Sequence, residues 1–99
     1  MDHRDDRFEW HIRKAARNLR DHKISFVDAR LAFDDPRAVD LFQSDDSEGE
    51  ERRKLVGLAG DRLLAVIYTE REGDDRLTYI RIISAWKANK HDQARYNED

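Results

Sequence analysis

The sequence predicts an α+β fold in which two N-terminal helices and a C-terminal helix pack on an antiparallel meander sheet. Three observations carry that reading. Ile12, Ala15, Ala16 and Leu19 recur at the spacing of an amphipathic helix. The most apolar run of the chain, Leu63-Leu64-Ala65-Val66-Ile67, follows directly on a Gly60-Asp61 turn signal. Helical patterns stand before and after the strand patterns instead of alternating with them, which is the order of an α+β sandwich.

Taken in order, Phe8-Glu9-Trp10 alternates apolar, polar, apolar and reads as a brief edge strand or a cap on the core. A helix is expected from His11 to Asp21, with Arg13, Lys14, Arg17 and Arg20 on its wetter faces. Ser25 is a good N-cap for a second helix, and Asp28 brings negative charge to its first turn. Ile24 before the cap can pack on Ala29 as a hydrophobic staple. Phe26, Ala29 and Phe33 mark the buried stripe, and Asp34-Asp35-Pro36 ends the helix, because a residue before proline is pushed out of helical geometry.

Val39, Leu41 and Phe42 suggest a short strand or extended arm, and Gln43 to Glu51 an acidic loop. Lys54 to Ala59 is the next strand. Gly60-Asp61 suits a type II′ hairpin, and Arg62 to Thr69 a central strand buried on both faces. Glu70 to Arg76 reads as a charged turn around Gly73. In the strand Leu77 to Ser84, alternation sends Thr78, Ile80, Ile82 and Ser84 one way and Tyr79, Arg81 and Ile83 the other. Trp86 to Asn97 looks helical.

The 99 residues suit one domain, 1–99, with room for a single core. There is no cysteine, so neither a disulfide nor a thiolate metal site is available. The charged start, Met1-Asp2-His3-Arg4-Asp5-Asp6-Arg7, does not look like a signal peptide, and no apolar run approaches the roughly 20 residues of a membrane span. A cytoplasmic protein without a membrane contact is expected. The net charge is −3; residues 1–51 carry 9 Lys/Arg against 14 Asp/Glu, and residues 52–99 carry 10 against 8. That balance predicts no global attraction to nucleic acid. An RNA contact has to come from a local basic cluster, and the second half is the place to look for it.

The residues Phe8-Glu9-Trp10, Lys14, Asn18, His22, Ser25-Phe26, Ala29, Phe33 and Asp35-Pro36, followed by Glu51-Arg52, Gly57, Arg62, Leu64, Val66, Tyr68-Thr69, Arg71, Arg81-Ile82-Ile83-Ser84-Ala85 and Tyr96, together resemble the BrnT family. The resemblance implies a RelE-like fold. It also implies a metal-independent ribonuclease toxin of a type II toxin–antitoxin system, acting on RNA without a cofactor. The implied partner is a BrnA-like antitoxin with a ribbon-helix-helix module, through which alone DNA is reached. The chain departs from the family pattern in four places. Trp86 stands where arginine usually follows Ile-Ser-Ala, and Asp92-Gln93 where a Glu-Arg pair usually stands in the last helix. Asp46 precedes Ser47 where the family often has histidine, and His11 follows Phe-Glu-Trp where it usually has aspartate.

Metal-free RNA cleavage needs a base for the ribose 2′-OH, cations for the phosphorane and an acid for the leaving 5′-oxygen. Arg81, in a strand with apolar neighbours, is the leading catalytic candidate, with Arg71 beside it as a further cation. Lys87, Lys90 and His91 can share one face of the last helix, where His91 is placed to move protons near neutral pH. Arg52 and Lys54, on one face of a strand, are RNA-binding candidates, and Tyr96 can stack on a base or cover the core. Each has an ordinary structural alternative: charged decoration for the cations, a solvated helix residue for His91, a helix C-terminal charge for His22. No metal site is expected. A second reading is a catalytically weak BrnT homologue that serves as an interaction module, binding an antitoxin and tuning operon repression; Trp86 and the altered last helix favour it.

Overall fold

A computed structural model describes residues 1–45 and 49–98; Asp46-Ser47 lies outside the described residues. Strands β1 (Asp2–Arg4) and β2 (Phe8–His11) lead into α1 (Ile12–His22). A single turn, α2 (Phe26–Ala29), runs on as a 3-10 segment, Arg30–Asp34. Then come β3 (Val39–Asp45), β4 (Glu51–Ala59), β5 (Arg62–Glu72), β6 (Thr78–Lys87) and α3 (Lys90–Asn97). The strands form one sheet in the order β1-β2-β6-β5-β4-β3.

The α+β class holds, while the meander is only part of the sheet. β3 to β6 are antiparallel neighbours, but β2 pairs with β6 in parallel, Phe8 opposite Ile80 and Glu9 opposite Arg81. The reason is local: β2 runs straight into α1, so it cannot turn back as a hairpin and meets β6 only after a long crossover. β1 was not expected from its charged sequence. It forms because Asp5 makes a turn, its Oδ1 accepting the Arg7 and Phe8 N–H groups at 2.9 and 2.7 Å. Its charged side chains suit the edge that it occupies.

The helices are not segregated on one face. Phe26, Ala29 and Ala32 pack with Leu55, Ala59, Leu64, Val66, Tyr68, Ile82 and Ala85 on one side of the sheet, together with Phe8 and Trp10. Tyr96 and Ala88 pack with Val56 and Ala65 on the other, so α3 covers the reverse face. Gly57 matters for the first layer: a Cβ there would stand 2.6 Å from the carbonyl oxygen of Ala32, so the 3-10 segment can lie against β4 only over glycine. The tight hairpin also forms, with Gly60 at a φ of 66°, the positive value that the first central position of the expected turn needs.

Several expected boundaries move. β3 runs on to Asp45 and β4 begins at Glu51 instead of Lys54, so both ends of the expected acidic loop are strand. β5 continues to Glu72, because Arg71 and Glu72 pair with Tyr79 and Thr78, and the charged turn shrinks to 73–77. β6 continues to Lys87, since Trp86 and Lys87 pair with Ala65 and Leu64. The last helix begins only at Lys90, where Asn89 and Asp92 form a reciprocal capping box. A bulge at Ile83 also resets the alternation of β6: Ile67 faces Ser84 and Tyr68 faces Ile82. Arg81, Ser84 and Trp86 therefore share the α3 side of the sheet, whereas Ile82 and Ala85 face α2.

α1 departs most from expectation. Of its supposed buried stripe only Ala15 touches the core; Ile12 and Leu19 are 43% and 50% exposed. The buried residue is Asn18. Beyond Arg81, β6 has no strand beside it on the β2 side, and Asn18 takes that place. Its Nδ2 donates to the carbonyls of Ala85 (2.8 Å) and Ile24 (2.9 Å), and its Oδ1 accepts the Ala85 N–H at 3.1 Å. No helix of the described residues is long and apolar enough to cross a membrane.

All three tyrosines donate their hydroxyls to aspartates: Tyr68 to Asp40, Tyr79 to Asp75 and Tyr96 to Asp35. Burial first and Asp40 second push the Tyr68 hydroxyl well above its ordinary range; for Tyr79 and Tyr96 the aspartate is the larger cause. A group with a raised folded value stabilises the fold fully below its unfolded value and loses that contribution as pH rises through the folded one. Tyrosinate absorbance should therefore stay absent up to about pH 10 and grow above it together with loss of the fold, instead of in a separate earlier step. Replacing Asn18 with leucine leaves the buried Ala85 N–H and C=O without partners. It should cost about 2–4 kcal/mol, read as a lower urea midpoint at unchanged slope.

Candidate functional site

Cross-strand partners point to the same face. On that basis Arg52 and Lys54 of β4, Arg71 of β5 and Arg81 of β6 lie on one face of the sheet, the α3 side, as a shared groove would require. Arg81 sits near the middle of the outer half. Its Nη1 donates to Glu9 and, at 3.2 Å, to Asp2. Glu9 is 3% exposed and also accepts from Arg4 at 3.0 Å. Arg81 is thus held rigidly with its side chain 17% exposed, and although burial works against its charge, Asp2 and Glu9 keep it firmly protonated. Sequence reasoning missed Glu9 and Arg4. The signal for Glu9 was present: a carboxylate between Phe8 and Trp10, two aromatics that face the core, has to point to the opposite face.

The cleft beside this cluster, about 260 Å³, is lined by Arg4 and Arg71 but also by Asp2, Glu9, Glu72 and Asp74. Arg71 itself lies 3.6 Å from Glu50. This cleft therefore presents more carboxylates than cations.

The other predicted residues fall into two groups. Lys54 and Tyr96 are committed to structure. Lys54 Nζ donates at 2.7 Å to Asp92, which is fully buried. The same carboxylate accepts the Trp86 indole N–H and the Asn89 N–H, both at 3.1 Å. Burial would raise the Asp92 carboxyl, but Lys54, the Asn89 N–H and Trp86 outweigh it and hold it below the usual carboxylate range. Tyr96 covers Val56 and Ala65 and donates at 2.7 Å to Asp35. Arg52, His91 and Lys87 have no ion pair with a described residue. Lys87 does not join Lys90 and His91 on a helix face, because it ends β6 and lies opposite Leu64, on the reverse side of the sheet from Arg81. His91 stands exposed in the first turn of α3.

A second cleft, about 230 Å³, lies between α1 and β6 and is lined by Lys14, Arg17, Asn18, Asp21, His22, Ile83 and Ser84. Asp21 is engaged by Arg20 at 3.0 Å. Lys14 and Arg17 have no ion pair with a described residue. Arg13, Lys14 and Arg17 of α1 thus form a second group of cations without an ion pair to a described residue, in the first half of the chain. His22 ends α1 with its ring 6.3 Å from that of Trp86.

The family model described as "Ribonuclease toxin, BrnT, of type II toxin-antitoxin system" matches residues 10–92. The chain belongs to the BrnT family. Comparison with curated proteins returns no significant match. As a BrnT toxin the chain has an antitoxin as its implied partner. Two of its departures from the family pattern meet in space: Trp86 and Asp92 are hydrogen-bonded to each other, and Lys54 completes the group. The aspartate takes up the cation and the indole N–H that would otherwise be buried without partners.

This network gives a pH-dependent stability of known sign. The lowered folded value of Asp92 means that its contribution is present above the unfolded value, about 3.9, and is lost as pH falls through the folded one. Asp92→Asn should therefore be less stable than the parent by about 2–3 kcal/mol at pH 7, since it strands Lys54. The gap should narrow progressively as pH falls below about 4. A gap that stays constant down to pH 3 would show that Asp92 acts by shape alone.

Proposed function

We propose that this BrnT chain is the toxin of a type II system and cuts RNA without a metal, by attack of the ribose 2′-OH on the adjacent phosphate. The observation that carries the reading is the family match across residues 10–92. In this scheme the 2′-oxygen bonds to phosphorus as the 5′-oxygen leaves. A base takes the 2′-OH proton, and an acid returns one to the leaving oxygen. The products are a 2′,3′-cyclic phosphate and a 5′-OH. Arg81 is the proposed phosphorane ligand. Its fork is preorganised by Glu9 and Asp2, so it needs no reordering as charge develops. Arg71 and Arg52 lie on the same face as further cations; His91, exposed on α3, and Lys87 are retained as proton-transfer candidates. The protein acts in the cytoplasm as one domain. Its antitoxin is of the BrnA type, with a ribbon-helix-helix module that alone contacts the operator DNA.

One observation favours a second reading, the interaction module. Lys54, Tyr96 and Arg81, three of the expected site residues, each already bind a carboxylate of this chain. Expression of the toxin alone in a bacterial host separates the two. Growth arrest with RNA fragments ending in 2′,3′-cyclic phosphate, unaffected by EDTA in vitro, is expected. Arg81→Ala should lower cleavage by about 100-fold or more. An inert protein that still binds its antitoxin tightly would leave only the module.

A further inference from the structure

We propose that the cleft between α1 and the free edge of β6 is a subsite for the backbone of single-stranded RNA. Lys14 and Arg17 contact consecutive phosphates there, and His22 stands at its end. The inference rests on RNA being the substrate and adds a place where RNA is held away from Arg81.

The first observation is charge. Arg4, Arg7, Arg30, Arg53, Lys54, Arg62, Arg71 and Arg81 all pair with carboxylates. α1 carries Arg13, Lys14, Arg17 and Arg20 against the single acid Asp21, which Arg20 already engages. Lys14 and Arg17 are three residues apart, so they sit on one side of the helix and both line the cleft. Phosphate contacts supply most of the sequence-independent affinity for nucleic acid.

The second observation is shape. The free edge of β6 invites comparison with a peptide-binding edge, but β2 already occupies the ladder at Ile80 and Arg81, and Asn18 takes both backbone groups of Ala85. The uncovered stretch is centred on the bulged Ile83 and is too short to hold an added strand. At about 230 Å³ the cleft is smaller than the roughly 300–1,000 Å³ of sites for drug-sized ligands, so it suits a short piece of backbone, one sugar with a phosphate on either side of it. Ile83 offers the sugar an apolar wall, while Ser84 adds a hydroxyl.

The test is fluorescence anisotropy with a labelled single-stranded RNA carrying 2′-O-methyl groups throughout, which cannot be cut by 2′-OH attack. Lys14→Ala/Arg17→Ala removes two side chains that form no ion pair with a described residue, Arg17 lending Asp21 only the influence of a nearby charge. It should bind about 10-fold more weakly or worse, with a salt slope shallower by about 1.4, two contacts at 0.7 each. A control, Arg37→Ala/Arg76→Asn, removes the same charge outside the cleft and should change affinity by less than about two-fold. Equal losses in the two double variants would reduce the effect to net charge and overturn the proposal. So would unchanged RNA affinity in Lys14→Ala/Arg17→Ala, including the case in which that variant instead loses its antitoxin. If the parent binds the probe through Lys14 and Arg17 yet never cuts unmodified RNA, the subsite stands and the nuclease reading falls.

Discussion

The side-chain amide of Asn18 decides where α1 lies. A strand as central as β6 cannot leave buried backbone groups unpaired, and β2 is too short to cover it beyond Arg81. Asn18 closes the gap with one donor and one acceptor on Ala85, and its second N–H ties the same point to Ile24, just before α2. Both helices on that face are thereby referenced to one residue of β6. Because a polar group anchors α1, the helix needs little apolar contact, and Ile12 and Leu19 can stay exposed. The cleft beside α1 exists for the same reason: a helix held by one amide at the sheet edge stands off from Ile83 and Ser84.

That arrangement explains what the sequence revealed and what it hid. Strong local signals gave their elements: the Gly60-Asp61 hairpin, the Ser25 cap and the apolar run from Leu63 to Ile67 all lie where expected. The buried face of α1 was hidden because periodicity counts apolar residues, and the contact that matters is made by an asparagine. The extent of β6 was hidden because Trp86 and Lys87 have no period of their own; their pairing with Ala65 and Leu64 is a long-range property. The Asn89–Asp92 capping box was a readable signal for the true start of α3. The parallel β2–β6 pair could have been reasoned from Trp10 running directly into a helix.

The placement of the candidate residues was legible in the sequence, but their pairing was not. Arg52, Lys54, Arg71 and Arg81 do share a face, as alternation allows. Alternation does not say which cations arrive with a carboxylate attached. Asp92 comes from 38 residues beyond Lys54, and Glu9 from 72 residues before Arg81. Trp86 and Asp92, two separate departures when read along the chain, are one hydrogen-bonded unit in the fold. A tryptophan whose indole N–H is bound inside the protein is fixed in orientation, so the surface it leaves exposed near His22 is a rigid one.

The pairing pattern also bears on how an acidic protein would act on the anionic substrate proposed for it. Net charge sets the far field, and here it is mildly repulsive to RNA. Within about 8–10 Å, the screening length at moderate salt, the local arrangement takes over. Around Arg81 the charges largely cancel at that range, because Arg4, Arg71 and Arg81 are each matched by acids. Matching of this kind weakens long-range attraction but leaves a guanidinium rigid and desolvated, which suits a group that acts only on charge formed in a transition state. The unmatched cations of α1 have the complementary property: they are solvated and lie on one helix, as the proposed contact with an RNA backbone requires. The proposed division, between a loosely cationic helix for backbone and a tightly balanced arginine for one phosphate, needs no basic protein. It needs two kinds of cation kept apart, and Asn18 holds α1, where the first kind resides, against the strand that carries the second.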